Sequence, residues 1–94
     1  MYTKEEFKKV SSIVSEFACS TTASTANGTA IAPNGKPCTV HCTVGNIWVN
    51  PLTTATTNSF KMGTGMVLDM LSTGTISVVS DSTAAKAQAI IWEA

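Results

Sequence analysis

Arginine is missing from this 94-residue chain, and all six of its cations are lysines. Six acids balance them, so the net charge is zero. No basic cluster exists that could neutralise a phosphate backbone, which excludes nucleic-acid binding of the electrostatic kind. Charge of either sign is scarce, at 13% of residues, where a typical domain carries about 25%. That excludes a charge-rich disordered tail. Cysteine is sparse and odd in number, at positions 19, 38 and 42, which argues against a disulfide scaffold. Cys38 and Cys42 lie four apart in an extended segment, about 13 Å between Cα atoms, beyond disulfide reach. No apolar run approaches the roughly 20 residues that cross a bilayer as a helix.

What is present is apolar, hydroxylic and small. Hydrophobic residues make up 44% of the chain, and Ser and Thr number 25. A chain of this size buries about 64% of its unfolded surface, enough for one modest core. Residues 1–10 read MYTKEEFKKV and lack the apolar stretch of a secretory signal, so the expected compartment of synthesis is a reducing cytoplasm. In that setting the sequon Asn27-Gly28-Thr29 reads as a turn.

The N-terminal segment has the local grammar of an amphipathic helix. Thr3 and Glu6 have the spacing of a capping box, and Tyr2 and Phe7 that of a hydrophobic staple. Phe7, Val10, Ile13, Val14 and Phe17 recur at intervals of three and four, one apolar stripe. A helix is predicted over residues 4–18, within an N-terminal unit spanning 1–19. Residues 20–29 follow as a neutral linker or edge segment.

Beyond residue 29 the period becomes two. A short strand over 29–32 leads to the turn Pro33-Asn34-Gly35-Lys36. Cys38, Val40, Cys42 and Val44 alternate with Thr39, His41 and Thr43, a half-buried strand. Ile47-Trp48-Val49, Phe60-Lys61-Met62, residues 66–71, 75–80 and 86–93 are further strands, separated by turns. The last of these has helical propensity too, but Ile90-Ile91-Trp92 favours the strand. Residues 30–94 are thus expected to form a small antiparallel β-sandwich or barrel, mainly β apart from the N-terminal α-helix. Between Phe17 and Phe60 the only formal charge is Lys36. Sheet edges that stand alone are usually guarded by charge, so this stretch is expected to be covered in an assembly.

Catalytic chemistry finds little purchase. The single histidine, His41, lies on the opposite strand face from Cys38 and Cys42, so the three cannot converge on zinc. No nucleophile elbow is present, and Gly63-Thr64-Gly65 lacks the lysine and helix of a phosphate loop. No enzyme, metal or cofactor is expected. Trp48 and Trp92 are large amphipathic anchors suited to a core, a subunit boundary or a sugar. With Phe7, Val10, Ile13, Val14 and Phe17 they form the candidate interface.

From residue 46 to 94 the chain resembles the small β-rich modules of tailed-bacteriophage virion proteins. The resemblance is carried by the aromatic strand Ile47-Trp48-Val49, the strand Ser59-Phe60-Lys61-Met62, the glycine turn at 63–65, the strand opening at Gly74-Thr75, the turn Ser80-Asp81 to Ala84, and the closing Trp92-Glu93. An acid that such modules often carry after the glycine turn is here Met66. The resemblance implies a non-enzymatic structural protein of the virion. The expected role is a capsid decoration or auxiliary protein that binds the major capsid protein or another virion protein, often as a trimer, and stabilises the head. It implies residence on the capsid surface after synthesis in the host cytoplasm, with no nucleic acid or membrane as partner. The alternatives are a receptor- or glycan-binding module of a fibre or tail, and an unrelated β-sandwich interaction domain.

Overall fold

The computed structural model describes residues 9–21 and 31–93 of the chain. Seven strands occur there: β1 (Val10–Ala18), β2 (Pro37–Val44), β3 (Ile47–Asn50), β4 (Phe60–Met62), β5 (Val67–Leu71), β6 (Ser77–Ser80) and β7 (Lys86–Trp92). They form two antiparallel sheets, ordered β1-β7-β2-β5 and β4-β3-β6. The mainly β architecture matches the period-two reading of residues 37–92.

The core lies between the sheets. Cys38, Val40 and Cys42 of β2 and Ala87, Ala89 and Ile91 of β7 face inward from the first sheet. Ile47, Val49, Met62 and Val78 face them from the second, with Ile76 just before β6. The central strands β2 and β7 contribute mostly small side chains and the second sheet larger ones, while Val14, Phe17, Leu68 and Met70 pack against the core from the edge strands β1 and β5. The expected strand over 29–32 reduces to a single bridge, Ile31 to Ile76, and residues 22–30 lie outside the described residues. Gly45 turns the chain from β2 into β3 with φ of 82°. A Cβ there would sit 3.1 Å from that of Ala85, so the position needs glycine twice over.

The N-terminal helix requires correction. Residues 1–8, including Phe7, lie outside the described residues. Residues 10–18 are a strand, hydrogen-bonded along β7 and integral to the first sheet. The reason is visible in the register. Val10 pairs with Trp92, Ile13 with Ile90, Val14 with Ala89 and Phe17 with Ala87, with shifts between Val10 and Ser12 and between Val14 and Phe17. Each bulge adds a residue to one strand, so same-face neighbours stand three apart instead of two. Two bulges in succession therefore imitate the spacing of a helical stripe. The three serines and the β-branched Val10, Ile13 and Val14 are indifferent helix formers, and sheet pairing overrides the pattern.

The correction separates residues that a helix would group. Val14 and Phe17 pack against the core, whereas Ile13 is 67% exposed and Val10 42%. Phe17→Ala is expected to cost about 2–3 kcal/mol, and Ile13→Ala no more than about 0.5 kcal/mol. Urea unfolding of the two variants measures this difference; equal losses would restore the single stripe.

Candidate functional site

The outer face of the first sheet is built in cross-strand rows. Register places Val67, His41 and Gln88 in one row. Asp69, Thr39, Ile90 and Ile13 form the next. Leu71 and Pro37 continue the face on β5 and β2, with Trp92 and Val10 paired at its β7–β1 side. Alternation in β7 puts Ala87, Ala89 and Ile91 inside and Gln88, Ile90 and Trp92 outside, so most of its larger side chains face away from the core. Ile13, Val67 and Leu71 are 67%, 58% and 66% exposed. A sheet face of this kind normally carries its polar residues outward. Here the usual sense is partly reversed.

Across this face runs a groove of about 320 Å³, touched by all four strands and lined by Ile13, Thr39, His41, Val67, Gln88 and Ile90 among others. Its polar groups are tied to one another. The Trp92 indole N–H donates to Thr39 Oγ1 at 2.9 Å, and the Thr39 hydroxyl donates to Asp69 Oδ1 at 2.5 Å. This chain of bonds orients the indole and ends on a carboxylate that keeps acceptor capacity in water. In the next row Gln88 Nε2 lies 3.0 Å from His41 Nδ1. An amide nitrogen only donates, so in this orientation Nδ1 accepts and the neutral imidazole carries its proton on Nε2. The groove thus offers apolar walls with donors and acceptors already oriented.

The residues expected at an interface do not form one site. Val10, Ile13 and Trp92 share the outer face of the first sheet. Val14 and Phe17 lie on its inner face. Trp48 is on the outer side of the second sheet, where Lys61 Nζ sits 5.8 Å from its ring centroid. Sequence reasoning missed Ile90, Val67 and Leu71 as surface residues. The β5 alternation was readable, but which face of it would be left uncovered was not.

All three cysteines are buried and free. Burial pushes the Cys19 thiol up to about 11, with the nearby Cys42 adding to the shift. Burial likewise takes Cys38 to about 11, with Asp69 contributing, and raises Cys42. Among the described residues no group of three or more His, Cys, Asp or Glu is placed to hold a metal ion. Compared with protein-family models, curated proteins and solved structures, the chain matches none.

Raised values keep these thiols protonated and inert. At pH 8 a thiol titrating near 11 is ionised about a hundredfold less than one titrating near 9. Iodoacetamide is expected to label native protein at that pH far more slowly than protein unfolded in urea, as followed by mass spectrometry; equal rates would place a cysteine at the surface.

Proposed function

We propose that this chain is a non-enzymatic structural module of a virion, a capsid decoration or auxiliary protein that docks on the shell through the outer face of its four-stranded sheet. The observation that carries the reading is the exposed apolar surface of Val10, Ile13, Val67 and Leu71 around the groove. Water-exposed apolar area of this kind, set on a rigid sheet, is what a docking surface supplies. The virion as its setting rests on the resemblance of residues 46–94 to phage modules.

The mechanism is burial. Each Å² of apolar surface removed from water contributes about 25 cal/mol before ordering costs. The oriented polar groups of the groove fix register without an unpaired buried donor: Trp92 and Gln88 have partners within the sheet. A module held this way ties neighbouring capsid subunits together and raises the resistance of the shell to disruption. The glycan-binding alternative draws on Trp92, but its indole N–H is already bonded to Thr39 and the residue is half-buried.

Purified shells lacking the protein are expected to take it up to a fixed copy number and to disrupt at a higher temperature. Val10→Lys with Ile13→Lys should reduce uptake at least about tenfold, because burying two lysines without partners is costly, while leaving the fold intact by circular dichroism. Uptake unaffected by the pair of lysines would remove the outer face from the role. Tryptophan fluorescence that changes with a sugar and not with shells would favour the glycan reading.

A further inference from the structure

The sheet edges are β1 and β5 in the first sheet and β4 and β6 in the second. β1 carries two bulges, a common way of blunting an edge. β6 is lined by other parts of the chain: the Ser80 N–H donates to Ser20 O at 2.9 Å and the Ile76 N–H just before it to Ile31 O at 2.7 Å. β4 and β5 are regular, and among the described strands each has a partner on one side only. Both lie on the same flank of the sandwich. The β2–β3 turn meets the β4–β5 turn, where the Gly45 N–H donates to Thr64 Oγ1 at 2.8 Å. β5, beside β2, therefore stands over β4, beside β3.

The backbone of each edge has a definite phase. The Cys42 N–H donates to Met66 O at 3.0 Å, and the Gly65 N–H to Cys42 O at 2.7 Å. Cys42 is thus a hydrogen-bonding position facing β5. By the two-residue alternation of an antiparallel ladder, so are Val40 and Cys38, opposite Leu68 and Met70. The N–H and C=O groups of Val67, Asp69 and Leu71 point into the open edge. In the second sheet the N–H groups of Ile76 and Ser80 point away from β3. Ser77 and Val79 therefore bond to β3 at Asn50 and Trp48. Ile47 and Val49 are left to bond Met62 and Phe60. The Lys61 backbone then turns outward from β4.

Side chains follow the same phase. Asp69 and Lys61 both lie on the outer faces of their sheets, beside Thr39 and Trp48. Leu68 and Met70 point inward from β5, and Met62 from β4, with the 52% exposed Phe60 on the same side as Met62. Along β5 an open depression of about 390 Å³ is lined by Pro37, Asp69, Met70 and Leu71.

We propose that two copies of this chain pair through this flank, β5 of each against β4 of the other, about a twofold axis parallel to the strands. Chain direction fits. β5 runs against β2 and β4 against β3, and β3 returns from β2 around Gly45, so β4 and β5 have opposite senses. The twofold sets each β5 antiparallel to the β4 of the second copy. Asp69 then stands opposite Lys61 in a pair that exchanges both backbone hydrogen bonds. Phe60 comes to rest on Met70, and Met62 beside Leu68. Strand sense ties side-chain phase to backbone phase, so registers two residues apart all bring the edges together in phase, and the opposite charges of Asp69 and Lys61 select the one described. Both contacts form together, so the assembly closes at two. Each combined sheet draws four strands from one copy and three from the other, seven in all. This is a twofold assembly where the resemblance implies a threefold one. Its backbone contacts are the strand edges; Asp69 is shared with the outer face of the first sheet, whereas Lys61 lies on the second sheet, away from the docking face.

Sedimentation equilibrium of the full chain is expected to give twice the 9.8 kDa chain mass. Asp69→Lys and Lys61→Asp, each felt twice across the axis, should each weaken pairing about tenfold. The chain carrying both substitutions should recover it. Oxidising a mixture of Lys61→Cys and Asp69→Cys variants should give a covalent dimer of one of each, since the native cysteines are buried. Ile13→Lys should leave pairing intact, so that loss of docking and loss of pairing read separately. A monomer up to millimolar concentration overturns the proposal. So does a dimer that charge exchange does not rescue and the mixed cysteines do not trap.

Discussion

The fold depends on the fit of the small inward side chains of β2 and β7 against the larger ones of the second sheet. The first sheet turns Cys38, Cys42, Ala87 and Ala89 inward with Val40 and Ile91, and the second answers with Ile47, Val49, Met62, Ile76 and Val78. Interiors pack at nearly crystalline density, so a small side chain on one side demands a larger one opposite. A strand has two faces and one alternation. Once Ala87, Ala89 and Ile91 occupy the inner positions of β7, Ile90 and Trp92 are left for the outside. The apolar outer face is therefore a consequence of how the core is filled. It also explains how a chain poor in charge comes to carry an exposed apolar surface.

The same alternation organises the polar groups. Trp92, Thr39 and Asp69 belong to three different strands, yet they link through two hydrogen bonds because register brings them to adjacent rows. Buried serine hydroxyls are served in the same way, whereas Thr43 Oγ1 is buried without a partner among the described residues. Ser80 Oγ lies within hydrogen-bonding distance of the carbonyls of Cys19, Ser20 and Ser82, and Ser77 Oγ accepts from the Ala55 N–H. These bonds fasten the residues just after β1 and the 51–59 loop onto β6, the edge that would otherwise be bare.

Much of this was legible in the residues. Cys38 to Val44, Ile47 to Val49, Phe60 to Met62 and the last strand read correctly because each follows an uninterrupted period of two between turn residues. The faces of β5 and β7 were likewise readable. Val10 to Phe17 was not, since bulges at two points convert strand spacing into helical spacing, and only the partner strand β7 reveals them. The apolar stripe divides for the same reason: residues aligned on a helix fall on two faces of a strand, Val10 and Ile13 outside and Val14 and Phe17 inside. The groove was invisible because Ile13, His41, Val67 and Ile90 are far apart in sequence and meet only through pairing.

The order of the strands has a consequence for how the molecule assembles. β7 lies between β1 and β2, so the strand that joins the first sheet into one surface is the last of the seven along the chain. Before it arrives, β1 has no neighbour and the alanine-rich side of the inner layer is absent. Closing such distant segments incurs its loop entropy before any contact rewards it, which places this topology among slow folders. During synthesis, the early strands emerge before β7 with their apolar faces uncovered, a state in which exposed apolar surface and unpaired edges favour misassembly.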